Sequence, residues 1–205
     1  MVEYLYSMLP TKTLKNRYFI MRHGHSQANE AGIVVSDPKN GVDGYGLSEL
    51  GKMQARTSIE EAKNRFPLDE DLVIISSDFK RCRETAEIVS EYLGTSNVEL
   101  EPRLRERFFG SHELGPNTAY EQVWEQDVIN DQVGSFGAES CQQVLERGVS
   151  VIQDLEERFA DEAILLVSHG DTLQILLTLF HNIAPGRHRE LVSLATAEIR
   201  ALSQS

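Results

Sequence analysis

Three short apolar segments each run straight into a polar turn and then into a stretch with helical periodicity. They are residues 17–21 (RYFIM), 72–76 (LVIIS) and Ala163–Ser168 (AILLVS). Runs this short, bounded by Gly and Ser, read as buried strands. Ser48 precedes apolar positions at Leu50, Met53, Ala55 and Ile59, which predicts a helix over 48–65, closed before Pro67. Ala86, Ile88, Val89 and Leu93 predict a second helix over 81–93 that stops before Gly94. Val144, Leu145, Val149, Ile152, Leu155 and Phe159 predict a third over 140–159, and a fourth is expected over 171–180. Residues 97–100 read as a weak strand and 197–202 as a terminal edge strand. Strands alternating with helices imply an α/β architecture, a three-layer, doubly wound, mostly parallel sheet with helices on both faces.

Two stretches resist this alternation. The 30–46 segment carries glycines at 32, 41, 44 and 46 with Pro38 and reads as a loop. Residues 111–137 lack periodicity and hold Glu113, Glu121, Glu125, Asp127 and Asp131 without a Lys or Arg. Both are long enough to be functional, and 111–137 is expected to be a lid-like excursion. No internal repeat or interdomain linker is evident, so one domain is expected over 1–205. Residues 1–16 are expected to be an N-terminal extension, not a secretory signal, since Pro10 and lysines interrupt their apolar residues.

Charge and cysteine usage narrow the function. Lys plus Arg number 20 against 32 Asp plus Glu, a net charge of −12. This argues against nucleic acid and anionic membrane as partners, but a local Arg cluster can still hold a small anion. No apolar stretch approaches a membrane span, and a cytoplasmic location is expected. Cys82 and Cys141 are too few for a disulfide framework and lie in no Cys-x-x-Cys or Cys/His ligand spacing; reduced, buried thiols and no metal site are expected.

The chemistry gathers where the strands end. In open parallel sheets ligands bind beyond the carboxyl ends of the strands. There the chain places Arg22-His23-Gly24-His25-Ser26, then Ser76-Ser77-Asp78-Phe79-Lys80-Arg81, then Ser168-His169-Gly170-Asp171. Two Arg, two His, hydroxyls and helix N-termini suit a phosphate, because guanidinium forks match its oxygens and the helix amides add to them. No GxxxxGK[ST] loop is present.

Six ordered pieces over 17–170 resemble the histidine phosphatase superfamily, which includes cofactor-dependent phosphoglycerate mutases and fructose-2,6-bisphosphatase-like enzymes. They are Arg22-His23-Gly24 with Asn29, Leu47 to Ala55 (LSELGKMQA), Ser76 to Arg81 with Thr85-Ala86, Glu106 to Gly110 (ERFFG), Gly137 to Ser140 (GAES), and Val167 to Gly170 (VSHG). The resemblance implies that His23 attacks phosphorus and that Arg22, Arg81 and a cationic His169 hold the phosphoryl oxygens. It implies that Glu106 is the general acid and then the base, and that Ser26 and Asn29 add phosphate contacts. Arg107 is counted among the substrate-binding residues, although Arg103, Arg105 and Arg107 would lower the Glu106 pKa if they point inward. His25 stands where the family usually has Glu or Gln. His112, His181 and His188 are expected to be structural.

The reading that follows is a metal-independent phosphomonoesterase acting through a phosphohistidine on a small phosphorylated substrate, with no cofactor. The alternatives are a phosphoglycerate mutase and a catalytically silent phosphate-binding scaffold. Mere binding needs neither nucleophile nor acid, which argues against the scaffold. Five acids over the mouth would repel a second anionic group, which argues against the mutase unless His112, Arg187 or Arg189 supplies the grip. Phe108, Phe109, Tyr120 and Trp124 are expected to form an apolar wall. The oligomeric state, including a homo-oligomer, is left open.

Overall fold

The computed structural model describes residues 14–202. The expected N-terminal extension lies outside the described residues up to residue 13. Lys15 and Asn16, which follow, are anchored: both backbone amides, the Asn16 side chain and the Tyr18 hydroxyl donate to the buried Glu156 carboxylate.

Among the described residues, five strands form one sheet: β1 (Arg17–Arg22), β2 (Val73–Ser76), β3 (Val98–Leu100), β4 (Ala163–Ser168) and β5 (Ile199–Ala201), in the order β3-β2-β4-β1-β5. Of these only β5 is antiparallel. The helices are α1 (Gln27–Ala31), α2 (Pro38–Gly41), α3 (Glu49–Lys63), α4 (Lys80–Leu93), α5 (Ala119–Ile129), α6 (Cys141–Arg158) and α7 (Gly170–Phe180).

Alternation along the strands divides the core in two. Tyr18, Ile20, Ile164 and Leu166 pack with Leu145 and Ile152 of α6, and with Leu173 and Leu176 of α7. Phe19, Met21, Leu165 and Val167 point the other way, onto Ala55 and Ile59 of α3 and Ala86 and Val89 of α4. The three-layer arrangement is the one expected. Its helix ends follow from sequence: the Ser48 side chain accepts from Gly51 N, Ser140 forms a capping box with Gln143, and Gly94 ends α4 at φ 76°.

Two long segments differ from expectation. Residues 111–137 contain the 11-residue helix α5, and the excursion is tied to the 30–46 segment. Val34 N donates to Gly115 O, Leu114 N to Val34 O, and Asn117 N to Gly32 O. Glu113 accepts from Ser36 N and Oγ at 2.7 and 2.6 Å and from Asn40 Nδ2 at 3.0 Å. The two segments are therefore fastened to each other as one unit.

The connection leaving β1 crosses β4 to reach β2, whereas the one leaving β4 crosses β1 to reach β5. The reversal opens a crevice beyond the adjacent ends of β1 and β4, where Arg22 pairs with Ser168.

Candidate active site

His23 follows β1 and is 3% exposed. The turn beyond it is tight enough to need glycine twice. A Cβ on Gly24 would lie 2.5 Å from Gly51 O, and one on Gly51 would lie 2.0 Å from His25 O. The first turn of α3 thus presses directly on the loop after β1.

The ring nitrogens of His23 have separate partners. Nδ1 lies 2.7 Å from Gly24 O, and Arg81 Nε donates to Nε2 at 3.1 Å. A carbonyl only accepts and a guanidinium only donates, so the proton sits on Nδ1 and the lone pair on Nε2. The same Arg81 Nε donates to His169 Nδ1 at 3.2 Å, and His169 Nε2 then donates to Ser77 Oγ at 2.9 Å. The two imidazoles meet edge-on, 5.2 Å between centroids. Burial first, then Arg81, holds both well below the ordinary histidine value. The N–H of Arg81 Nε needs a lone pair on His169 Nδ1, which is the pattern of a neutral imidazole where the resemblance implied a cationic one.

The two arginines are unsatisfied. Arg81 Nη2 donates to Val35 O and Arg22 Nη1 to Leu194 O. Arg81 Nη1 and Arg22 Nε are buried without a partner among the described residues, an expensive arrangement unless an anion completes it. Burial lowers Arg22, and Arg81 and Arg189 add to the effect. A Cβ on Gly170 would come within 3.3 Å of Arg22 Nε, and no side chain caps the N-terminus of α7 beside it. Guanidiniums and the His23 imidazole surround a cavity of about 260 Å³, which Ser26, Asn29 and Gly170 also line, whereas His169 lies behind them and does not line it. Ser26 N donates to Asn29 Oδ1 at 3.0 Å and Asn29 N to Ser26 Oγ at 3.3 Å, the cap of α1.

Glu106 lines the same cavity. Its Oε1 accepts from Arg107 N at 3.0 Å and from Thr172 N at 3.4 Å. Desolvation, then the Asp171 carboxylate, pushes it above the ordinary glutamate value, against Arg81 and Arg22. The Arg107 backbone amide also pulls it down, but the flanking guanidiniums turn away. Arg103 pairs with Glu101 and Asp154, and Arg105 with Asp78.

Arg107 is a correction. It is fully buried and does not line the cavity; its guanidinium grips Asp127 at 2.6 and 2.7 Å, reaches Asp171 at 3.3 Å and donates to Glu139 O. An extended backbone sends neighbouring side chains opposite ways, so Glu106 facing the cavity turns Arg107 into the interior. The acids of the excursion are corrected with it. Asp127 is paired with Arg107 and Glu113 is turned onto Ser36 and Asn40, so neither lines the cavity. The apolar wall is also smaller than expected. Tyr120 and Trp124 line the cavity, stacked at 5.6 Å and 10°, but Phe109 is core and Phe108 lies against a separate groove.

Asp171 links the interior to the wall. It accepts from Trp124 Nε1 at 2.9 Å and meets His188 Nε2 at 3.2 Å. Burial alone would raise it, but His188, Arg107 and Arg189 together bring it down to about 2. His188 Nδ1 lies 3.0 Å from Pro185 O, so each ring nitrogen has an oxygen neighbour. Folding also brings Asp127, Cys141 and His188 within ligand distance of one another, which their spacing did not suggest. They do not fit a metal ion: both Asp127 oxygens are held by Arg107, both His188 ring nitrogens already have oxygen partners, and burial pushes the Cys141 thiol up.

The other histidines lie outside the cavity. His25 Nδ1 meets Ser48 Oγ at 3.0 Å, His112 packs on Phe136, and His181 follows the end of α7. Asn117, Gln174 and Ser193 line the cavity and were not expected there. Gln174 alone carried a signal, as a polar residue within the apolar run of α7.

A neutral histidine between two anion-seeking guanidiniums, at the crevice of a doubly wound sheet, defines a phosphate-handling α/β protein. The chain belongs to the histidine phosphatase superfamily (branch 1), whose pattern it matches over residues 18–204. It is 30% identical over 164 residues to a probable phosphoglycerate mutase of Photorhabdus laumondii subsp. laumondii, covering 78% of this chain and 72% of that one. Among solved structures it resembles a mycobacterial glucosyl-3-phosphoglycerate phosphatase complexed with VO3, at 25% identity and a TM-score of 0.73, covering 89% of this chain and 88% of that one. An alpha-ribazole phosphatase from Shigella flexneri shares the fold at 23% identity and a TM-score of 0.71, covering 90% and 89%. Among the described residues no helix is long and apolar enough to cross a membrane.

Proposed function

We propose that the chain hydrolyses small phosphomonoesters through a phosphohistidine on His23. The observation that carries this reading is the pair of orphaned donors, Arg22 Nε and Arg81 Nη1, lining the cavity that His23 also lines. In the first step the Nε2 lone pair attacks phosphorus and the bond to the alcohol oxygen breaks. Glu106 delivers its proton to that oxygen, and the alcohol leaves. In the second step water attacks phosphorus, Glu106 takes the water's proton, and the N–P bond breaks to release phosphate. A phosphoryl transition state spreads charge over its equatorial oxygens. Arg22, Arg81, the α7 amides and the site of Ser26 and Asn29 are arranged to receive it, and His169 joins them if the bound dianion draws a proton onto it. Gly24 O steadies the charge that develops on the His23 ring. Neither a metal nor a cofactor is needed to supply positive charge. The acidic chain and its small cavity favour a small phosphorylated metabolite over nucleic acid, and a cytoplasmic setting.

A phosphoglycerate mutase is the second reading, favoured by the names of the sequence relatives and by Arg189 at the cavity. The deciding experiment combines p-nitrophenyl phosphate hydrolysis in EDTA with a coupled assay on 3-phosphoglycerate and 2,3-bisphosphoglycerate. Hydrolysis that survives chelation, with an acid-labile, base-stable phosphoryl-enzyme absent from His23→Ala, is expected. Isomerisation faster than every phosphate-release rate promotes the mutase.

A further inference from the structure

Glu106 has a partner that does not touch the cavity. Thr172 lies buried in the first turn of α7 and does not line the cavity. Its hydroxyl lies 2.9 Å from Arg105 O and 3.2 Å from Glu106 Oε1. Its amide, one of those left over at the uncapped start of α7, donates to the same Oε1 at 3.4 Å, and Arg107 N adds a third contact at 3.0 Å. Every contact falls on Oε1. Oε2 takes no partner among the described residues and is the oxygen left for the cavity that Glu106 lines.

A threonine hydroxyl has one proton to give. Arg105 O can only accept, so while Glu106 carries its own proton the hydroxyl rests on that carbonyl. Once Glu106 has given the proton up, its carboxylate is the stronger acceptor, and the hydroxyl turns to Oε1. Oε1 also takes two amide donors, so the transferable proton belongs on Oε2. The segment that carries Glu106 is held by β4 as well. Ser168 Oγ donates to Leu104 O at 2.7 Å, and His23 N donates to Ser168 O at 2.9 Å. One strand end therefore registers nucleophile and acid, and Thr172, in the helix that follows, sets the carboxyl group. Arg22 from β1, Arg81 and Cys82 from α4, Tyr120 from α5 and Asp171 from α7 also feel the Glu106 charge, but none of them hydrogen-bonds it.

We infer that Thr172 is a positioning residue: its hydroxyl fixes which oxygen of Glu106 carries the proton and stabilises the carboxylate left once that proton is delivered. This rests on Glu106 serving as the general acid in phosphomonoester hydrolysis at His23. Valine in place of Thr172 keeps the shape and removes the hydroxyl alone. The bond it removes belongs to the ionised form, so its loss raises the Glu106 pKa, and the acid form persists to higher pH.

The test follows glycerol 3-phosphate, whose alkoxide needs a proton to leave, and p-nitrophenyl phosphate, whose phenolate does not. In Thr172→Val, kcat on glycerol 3-phosphate is expected to fall about tenfold or more with KM little changed, while phosphoryl-enzyme formation from p-nitrophenyl phosphate is spared. The basic limb of kcat/KM should move up by about one pH unit, and Thr172→Ser should restore both. Ser168→Ala loosens the same segment without touching the carboxyl group and should leave that limb in place. NMR titration of the Glu106 carboxyl carbon, assigned with Glu106→Gln, reads the same shift without turnover. A Glu106 titration unmoved by Thr172→Val, or moved as far by Ser168→Ala, overturns the assignment. Wild type that releases phosphate from no monoester, with the shift intact, overturns the hydrolysis reading instead.

Discussion

Arg81 Nε lies 3.1 Å from Nε2 of His23, the nitrogen placed to attack phosphorus. One N–H thereby settles which tautomer His23 adopts and keeps the attacking nitrogen unprotonated. An incoming phosphoryl oxygen can then take that N–H and release the lone pair.

The acid limb of the pH profile follows. Burial, then Arg81 and Arg22, depresses His23, so lowering the pH protonates Nε2 only well below the ordinary 6.5. With the substrate's own ionisation near about 6 allowed for, kcat/KM should hold through pH 6.5 and fall only at lower pH. An enzyme-borne acid limb at or above 6.5 contradicts this arrangement.

Replacing Arg81 should act on both chemistry and titration. Arg81→Leu removes a donor to two imidazoles and a phosphate ligand, and a loss on the order of 10²–10³ in kcat is expected. Lysine should rescue little, because a point charge cannot serve His23, His169 and Val35 O together. In NMR titrations the His23 pKa should rise toward 6.5 in Arg81→Leu. Unmoved histidine signals would show that Arg81 only binds phosphate.

The strand ends were legible because β1 and β4 are short, apolar and each closed by Arg-His-Gly or Ser-His-Gly. The excursion was not, because α5 answers to two environments at once. Its Val123 is buried, Tyr120 and Trp124 face the cavity, and Val128 and Ile129 are exposed, so no single apolar stripe marks the helix. Arg107 was misplaced for a similar reason. It sits beside Glu106 in sequence, and its partner Asp127, twenty residues on, looked like one more surface acid. The His188 environment depends on residues from three separate elements, and no local pattern announces that.

Glu106 should matter in proportion to how poor the leaving group is. p-Nitrophenolate leaves without a proton, whereas an alkoxide does not. Glu106→Gln should therefore slow alkyl phosphates by on the order of 10²-fold or more, yet spare the first step on p-nitrophenyl phosphate, with phosphoryl-enzyme accumulating. Glu106 is raised by desolvation and then by Asp171, so Asp171→Asn should move the basic limb of kcat/KM to lower pH. Equal losses on both ester types would remove Glu106 from the role of acid.

Arg107 offers the sharpest separation between a binding and a structural role. Its charge is paired with Asp127 where water does not reach, so removing one partner strands the other. Arg107→Met should cost about 3–5 kcal/mol in urea unfolding, and adding Asp127→Leu should recover much of it. Asp171 keeps His188 and Trp124 as partners in the double variant, so the cavity wall should persist and KM for p-nitrophenyl phosphate should stay within about threefold. A substrate-binding Arg107 predicts the reverse: a stable single variant with a raised KM that the second substitution does nothing to restore.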